Sequence, residues 1–103
     1  GQALAQAGCS VAIATDFNPG SCFLQNLAFM GTLAGIHCGL NAAQVIAGIT
    51  YVPALSLGLE ERKGALSTNY DGDCCIYEGF KNVQEWLANM GQTPPTKVIV
   101  GTP

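Results

Sequence analysis

Charge is scarce in this chain. Only 11% of its 103 residues are Asp, Glu, Lys or Arg. The four basic residues, Arg62, Lys63, Lys81 and Lys97, form no patch that could follow a phosphate backbone, so nucleic acid is not an expected partner. The formal net charge of -3 comes from acids spread thinly. Histidine is scarcer still: His37 is the only one, and beside Gly35 and Gly39 it reads as a capping or surface residue near a helix end. Long apolar runs are missing too. Gln25 and Asn26 interrupt the longest candidate, Phe23 to Ile36, well short of the roughly 18 residues a membrane helix needs, so a soluble protein without a membrane partner is expected. There is no Cys-x-x-Cys pair. Five cysteines, an odd number at irregular spacing, suit free, buried thiols better than a disulfide framework or a cysteine-built zinc site. Cys74 and Cys75, adjacent in a strand, would point to opposite faces and could not hold one metal together. The opening Gly-Gln-Ala-Leu-Ala-Gln-Ala has no basic segment ahead of an apolar core, so it is not read as a secretory signal; the expectation is that it continues from a longer chain. No internal repeat or low-complexity segment is seen.

What is present is apolar. With 49% hydrophobic residues and 13 glycines, the chain is rich in segments fit for burial. A chain this short buries a smaller share of its surface than one of ordinary enzyme size, so cover from elsewhere is expected. Val11, Ala12, Ile13 and Ala14 form a continuous apolar run, which suits a strand over Cys9 to Thr15 buried on both faces, as in a parallel sheet. The turn formers Asp16, Phe17, Asn18, Pro19 and Gly20 follow and place Asp16 at that strand's C-terminal end. From Phe23 to Ile36, residues Leu24, Leu27, Ala28, Gly31 and Ala34 recur at helical spacing, with Gly35 and Gly39 bracketing the end. Strand, loop and helix together make one unit of an α/β fold.

A second helix is expected from Asn41, whose side chain caps it with Gln44 three residues on, to about Thr50. Pro53 suits only a first turn, which predicts a short helix from Pro53 to Leu57 ended by Gly58. Glu60 to Lys63 reads as a solvated connection. Beyond Gly64 the texture changes: Asn69-Tyr70-Asp71-Gly72 is turn chemistry, Asp73 to Tyr77 reads as a strand, and Lys97 to Val100 as another after Thr93-Pro94-Pro95. Two or three strands without a covering layer are marginal in water, so this tail is expected to complete a sheet of a longer chain.

The run Ala14-Thr15-Asp16-Phe17-Asn18-Pro19-Gly20-Ser21 resembles the signature that follows the last barrel strand of imidazolonepropionases. Thr50-Tyr51-Val52-Pro53-Ala54-Leu55-Ser56-Leu57-Gly58-Leu59 resembles a helix found across the wider amidohydrolase superfamily, Gly64-Ala65-Leu66 with Gly72-Asp73 its return to a small β-domain, and Trp86 to Gly101 its closing segment. The chain departs from the pattern where Val52 replaces the usual Asn, Asn69 the usual Gly and Gly72 the usual Ala. Asn tolerates a left-handed backbone at modest cost, so Asn69 is a mild change.

The resemblance implies an α/β fold: the last strand and helices of a metal-dependent hydrolase's TIM-like (β/α)8 barrel in residues 1–59, and C-terminal strands of a small β-sandwich domain in residues 60–103. It implies a cytoplasmic enzyme of histidine degradation, a homodimer when whole. Its small-molecule substrate would be 4-imidazolone-5-propanoate, opened at its cyclic amide C-N bond to N-formimino-L-glutamate. One divalent metal, zinc or iron, is the implied cofactor, with Asp16 as ligand and catalytic residue, and Asn18, Gly20 and Ser21 as substrate-binding residues.

Chemistry agrees with that role for Asp16. Barrel enzymes assemble their sites at the C-terminal ends of strands, and a carboxylate beside an attacking water can take its proton and return it to a leaving nitrogen. By its residues alone, an Asp before Asn-Pro-Gly is more often a turn or helix cap. Asn18, Gly20 and Ser21 offer a donor and acceptor, close backbone approach and a hydroxyl; the same three residues can simply build the turn, with Ser21 near the next helix start. The histidine ligands implied by the resemblance are absent here, and one carboxylate cannot retain zinc alone, so the isolated chain is expected to be inactive. Two other readings stand beside this one: another metal-dependent amidohydrolase of deaminase or dihydroorotase type, told apart by its substrate, and a non-catalytic truncated module, told apart by the lack of any turnover.

Overall fold

Short polar caps set the elements of the fold. In the computed structural model, which describes residues 1–101, helices α1 (Gln2–Gln6), α2 (Leu27–Cys38), α3 (Ala42–Ile49) and α4 (Tyr51–Ser56) are followed by strand β1 (Cys74–Ile76), helix α5 (Val83–Ala88) and strand β2 (Lys97–Ile99). The mixed helix and strand content fits the expected class.

The α3 cap forms as the sequence predicts. Asn41 Oδ1 accepts from the Gln44 amide at 2.8 Å while Gln44 Oε1 accepts from the Asn41 amide at 2.9 Å, so two orphan donors are met reciprocally. Helix α2 starts later than its apolar spacing suggests. Asn26 Oδ1 takes the Phe29 amide at 3.1 Å and fixes the start at Leu27, leaving Phe23 outside and exposed. Gly35 lies inside α2, and the stop falls at Gly39, whose φ of 67° is the left-handed cap that glycine adopts freely. Helix α4 begins at Tyr51, two residues ahead of the expected start, with Pro53 still in its first turn. Asn69 takes a left-handed φ of 69°, the conformation expected where Asn replaces Gly.

Cys9 to Thr15 is not a strand here. Its backbone has no ladder partner among the described residues; one amide, that of Ile13, donates to the Gly48 carbonyl at 2.8 Å. Val11, Ile13 and Thr15 are half-buried and Ala12 and Ala14 exposed, so the segment covers α3 with one face instead of being buried on both. Gly48 makes this approach possible, since a Cβ there would stand 2.9 Å from the Val11 carbonyl oxygen and 2.8 Å from Ile13 Cδ1.

The core is small. Ala34, Leu40 and Val45 form its centre, with Ala5, Val11, Ile13, Cys38 and Leu87 packed on it, and Val45 alone is sealed at 0% exposure. Fifteen large hydrophobic side chains remain exposed among the described residues, Val100, Leu66 and Phe23 at 75% or more. The Cα radius of gyration is 14.0 Å, somewhat above the roughly 13 Å of a compact domain of this size. All five cysteines are free as expected, but none is fully buried: Cys9 and Cys75 are exposed and the other three half-covered. Among the described residues no helix is long and apolar enough to cross a membrane.

Strands β1 and β2 pair antiparallel, with Cys75 opposite Val98. Helix α5 has no counterpart in the sequence reading, although its start is written there: Asn82 accepts from the Glu85 amide at 2.8 Å, and Glu85 Oε2 accepts from the Lys81 amide at 2.6 Å. It packs on α2 and α3 and is fastened by polar latches. Thr32 Oγ1 donates to the Leu87 carbonyl at 2.8 Å, and Asn26 Nδ2 to the Gly91 carbonyl at 2.8 Å just beyond it.

Candidate functional site

The predicted site residues fall in one loop that ties itself shut. Asn18 and Cys22 form an antiparallel bridge, the Asn18 amide donating to the Cys22 carbonyl at 2.8 Å. One step further out, the Cys22 thiol reaches the Thr15 carbonyl at 3.2 Å. Thr15 and Cys22 thus close the loop, a role with no signal in the sequence, where Cys22 is one apolar residue among many.

Asp16 stands inside this closure with φ at 54°, the left-handed region that Asp enters at a small cost and that most residues avoid. The residue is exposed, and its carboxylate takes no hydrogen bond from the described residues. Its carbonyl is held by Asn18 Nδ2 at 2.8 Å. Asn18 Oδ1 in turn accepts the amides of Gly20 at 2.9 Å and Ser21 at 2.8 Å, an Asx turn that swings the chain around Pro19. Ser21 Oγ lies 3.2 Å from Asn18 Nδ2 and 3.3 Å from its Oδ1. A Cβ on Gly20 would stand 3.3 Å from Asn18 Oδ1, so a larger residue there would press on the turn. Asp16, Asn18, Gly20 and Ser21 are therefore brought together by the Asn18 side chain.

The loop has no walls of its own. An apolar hollow of about 310 Å³ runs along Val11 to Ala14 against Met30, Leu33 and His37, and another of about 390 Å³ lies by Tyr77, Phe80 and Trp86; neither is lined by the four loop residues. His37 is exposed in the last turn of α2, as expected.

A metal does not fit these residues alone. Among the described residues no three His, Cys, Asp or Glu side chains group around a common point, and stable sites need three or four protein donors. Asp16 is a single one.

The charged stretch after α4 is a connection with Glu61 and Arg62 exposed, as expected, but two of its charges are tied down. Asp71, whose side chain is only 5% exposed, is bracketed by Arg62 at 3.0 Å and Lys63 at 3.0 Å, while Lys63 also binds Asp73. Tyr70 donates its hydroxyl proton to the Glu60 carbonyl, and the Gly101 amide donates to Asp73 at 2.9 Å. The Lys63 ammonium chiefly holds both carboxyls below the ordinary Asp range; Arg62 adds to this at Asp71 and the Gly101 amide at Asp73, against the opposing pull of desolvation. Asp73 and then Asp71 raise Lys63 in return. Opposite charges nine and ten residues apart, across the Asn69 turn, are the sequence signal for this cluster.

The matched sequence pattern is that of a hydrolase family: the chain belongs to the Amidohydrolase family, whose model matches residues 1–102. It is similar to the imidazolonepropionase of Phocaeicola vulgatus, 40% identical over 73 residues that are 71% of this chain and 18% of that protein. It is likewise similar to the imidazolonepropionase of Rubrobacter xylanophilus, 42% identical over 77 residues (75% of the chain, 19% of the relative), and to that of Symbiobacterium thermophilum, 39% over 69 residues (67% and 16%). The matches thus span less than a fifth of these relatives.

Proposed function

We propose that the chain is the C-terminal part of an imidazolonepropionase, which opens the cyclic amide C-N bond of 4-imidazolone-5-propanoate to N-formimino-L-glutamate in histidine degradation. The observation that carries this is the loop from Asp16 to Ser21: a carboxylate without a hydrogen bond from the described residues, on a backbone held in a left-handed turn, in a chain similar to imidazolonepropionases. In the whole enzyme the segment Cys9 to Thr15 would be the last strand of a (β/α)8 barrel and β1 and β2 part of a β-sandwich. The lack of a ladder partner for the first among the described residues and the alternating burial along it support this.

In that setting Asp16 takes a proton from the attacking water as its oxygen bonds to the ring carbon. The C-N bond breaks, and the proton passes to the departing nitrogen. Asn18, Gly20 and Ser21, which share the turn with Asp16, would contact the substrate. Zinc or iron is the cofactor implied by the family resemblance, with Asp16 as this chain's one donor and the other donors on the rest of the enzyme. A small-molecule substrate, a homodimeric whole and a cytoplasmic location complete the proposal; the exposed apolar side chains support cover by further protein.

The test is hydrolysis of 4-imidazolone-5-propanoate by the longest reading frame that contains this chain, beside its Asp16→Asn variant. The expected loss in the variant is about 10²–10⁴-fold in kcat. A parent inert on this substrate but active on other cyclic amides would move it to the wider amidohydrolases. Inertness on all of them would leave a non-catalytic module.

A further inference from the structure

We infer that Thr15 acts as a positioning residue for Asp16, aiming its carboxylate through the two peptide groups that flank it, an inference that rests on the proposed role of Asp16. The Asp16 carboxylate takes no hydrogen bond from the described residues, so its direction follows from the backbone that carries it. That backbone holds φ at 54°, a sparsely populated conformation that persists where surrounding contacts over-determine it.

Thr15 takes part on both sides of Asp16. Its own carbonyl, in the peptide that joins Thr15 to Asp16, accepts the Cys22 thiol at 3.2 Å. Its Oγ1 reaches past Asp16 and accepts the Phe17 amide at 3.2 Å, so the peptide that joins Asp16 to Phe17 is held as well. Each peptide group is planar, and with both planes set the Asp16 Cα–Cβ bond between them is set too. Thr15 is half-buried with Val11 and Ile13, on the face of the segment that covers α3, whereas Asp16 and Phe17 are exposed. The hydroxyl thus ties an exposed turn to the packed segment before it. A thiol is only a weak donor, so the hydroxyl carries the larger share of the hold.

Two substitutions separate the hydroxyl from the rest of the side chain. Thr15→Val keeps the β-branch and loses the acceptor; Thr15→Ser keeps the acceptor and loses the methyl. In the longest reading frame that contains this chain, with 4-imidazolone-5-propanoate as substrate, Thr15→Val is expected to lower kcat about 10-fold or more with KM within about 2-fold of the parent. Thr15→Ser is expected to keep kcat within about 3-fold. Because the effect runs through Asp16, Thr15→Val in an Asp16→Asn background should lower the remaining kcat by less than about 2-fold. Cys22→Ala frees the Thr15 carbonyl and leaves the hydroxyl in place, and its expected loss of kcat is smaller than that of Thr15→Val. It takes over the comparison of the two backgrounds if Thr15→Val does not fold.

Equal losses in Thr15→Val and Thr15→Ser would overturn the inference, because only one of them lacks the acceptor. Unchanged kcat in Thr15→Val, with or without a raised KM, would overturn it as well. So would the same loss in both backgrounds, which would separate the effect from Asp16. Retention of full activity by Asp16→Asn, measured alongside, would instead remove the proposed function on which it stands.

Discussion

The Thr32 hydroxyl donates to the Leu87 carbonyl at 2.8 Å across 55 residues of sequence, from a side chain that is 7% exposed as a residue and buried under α5. This bond ties the helix that follows the candidate loop to the chain's closing segment. Thr32→Val keeps the shape and removes the donor, and because the Leu87 carbonyl still accepts the Met90 amide at 3.1 Å, the cost is about 0.5–1.5 kcal/mol. The expected outcome, in the longest reading frame containing this chain, is faster amide exchange across Val83 to Ala88 with α2 unchanged. Equal exchange in both proteins would show that apolar packing alone seats α5.

The cluster around Asp71 predicts a pH response of known sign. Asp71 and Asp73 are held below the usual carboxyl value of 3.8, so their contribution to stability is present above the unfolded-state value and disappears as pH falls through the lower folded-state values. Lys63 is raised above 10.5, so its part is complete below that value and is lost as pH climbs through the higher folded one. Unfolding midpoints measured from pH 6 down to about pH 2 should fall more steeply for the parent than for Asp71→Asn, which starts lower. Parallel acid profiles for the two proteins would mean that the ion pairs contribute nothing net.

Gly48 predicts a coupled change in packing and site. A methyl at this position meets the Val11 carbonyl oxygen and Ile13 Cδ1 at under 3 Å, an overpacking that costs roughly 1–3 kcal/mol. Relief comes by pushing the segment Val11 to Thr15 away, and that segment leads directly into Asp16. Gly48→Ala should therefore lower both the thermal midpoint and kcat, while Asn41→Ala, which only uncaps α3, should lower the midpoint by a similar energy of about 1 kcal/mol and spare kcat. If both variants keep kcat, the packing of α3 does not set the loop.

Local chemistry made much of the fold and the loop readable before any coordinates. The Asn41 and Gln44 cap, the left-handed stop at Gly39, the turn at Asn69 and the clustering of Asp16 to Ser21 all rest on bonds between residues two to four apart, which sequence spacing displays directly. The strands at Cys74–Ile76 and Lys97–Ile99 showed through their apolar and β-branched residues and the turns that flank them, but their pairing with each other did not. Spacing misled at Phe23, because apolar residues before Asn26 matched the helical period while the cap, a single hydrogen bond, decided the start.

What the sequence by itself determined is therefore the elements α2, α3, α4, β1 and β2, the composition of the candidate loop and the family to which it points. Tertiary structure alone decided how those pieces are used. Whether Cys9 to Thr15 counts as a strand depends on a neighbouring backbone, and among the described residues no strand lies beside it, Ile13 alone reaching across to the Gly48 carbonyl. Glu60 to Lys63 reads only as a solvated connection, and its pairing shows once Asp71 is seen folded back onto Arg62 and Lys63. Cys22 carries the same thiol whether it lies in a core or against the Thr15 carbonyl. The physical reason is common to all three: a hydrogen bond or ion pair is a relation between two groups in space, and a sequence specifies only the groups.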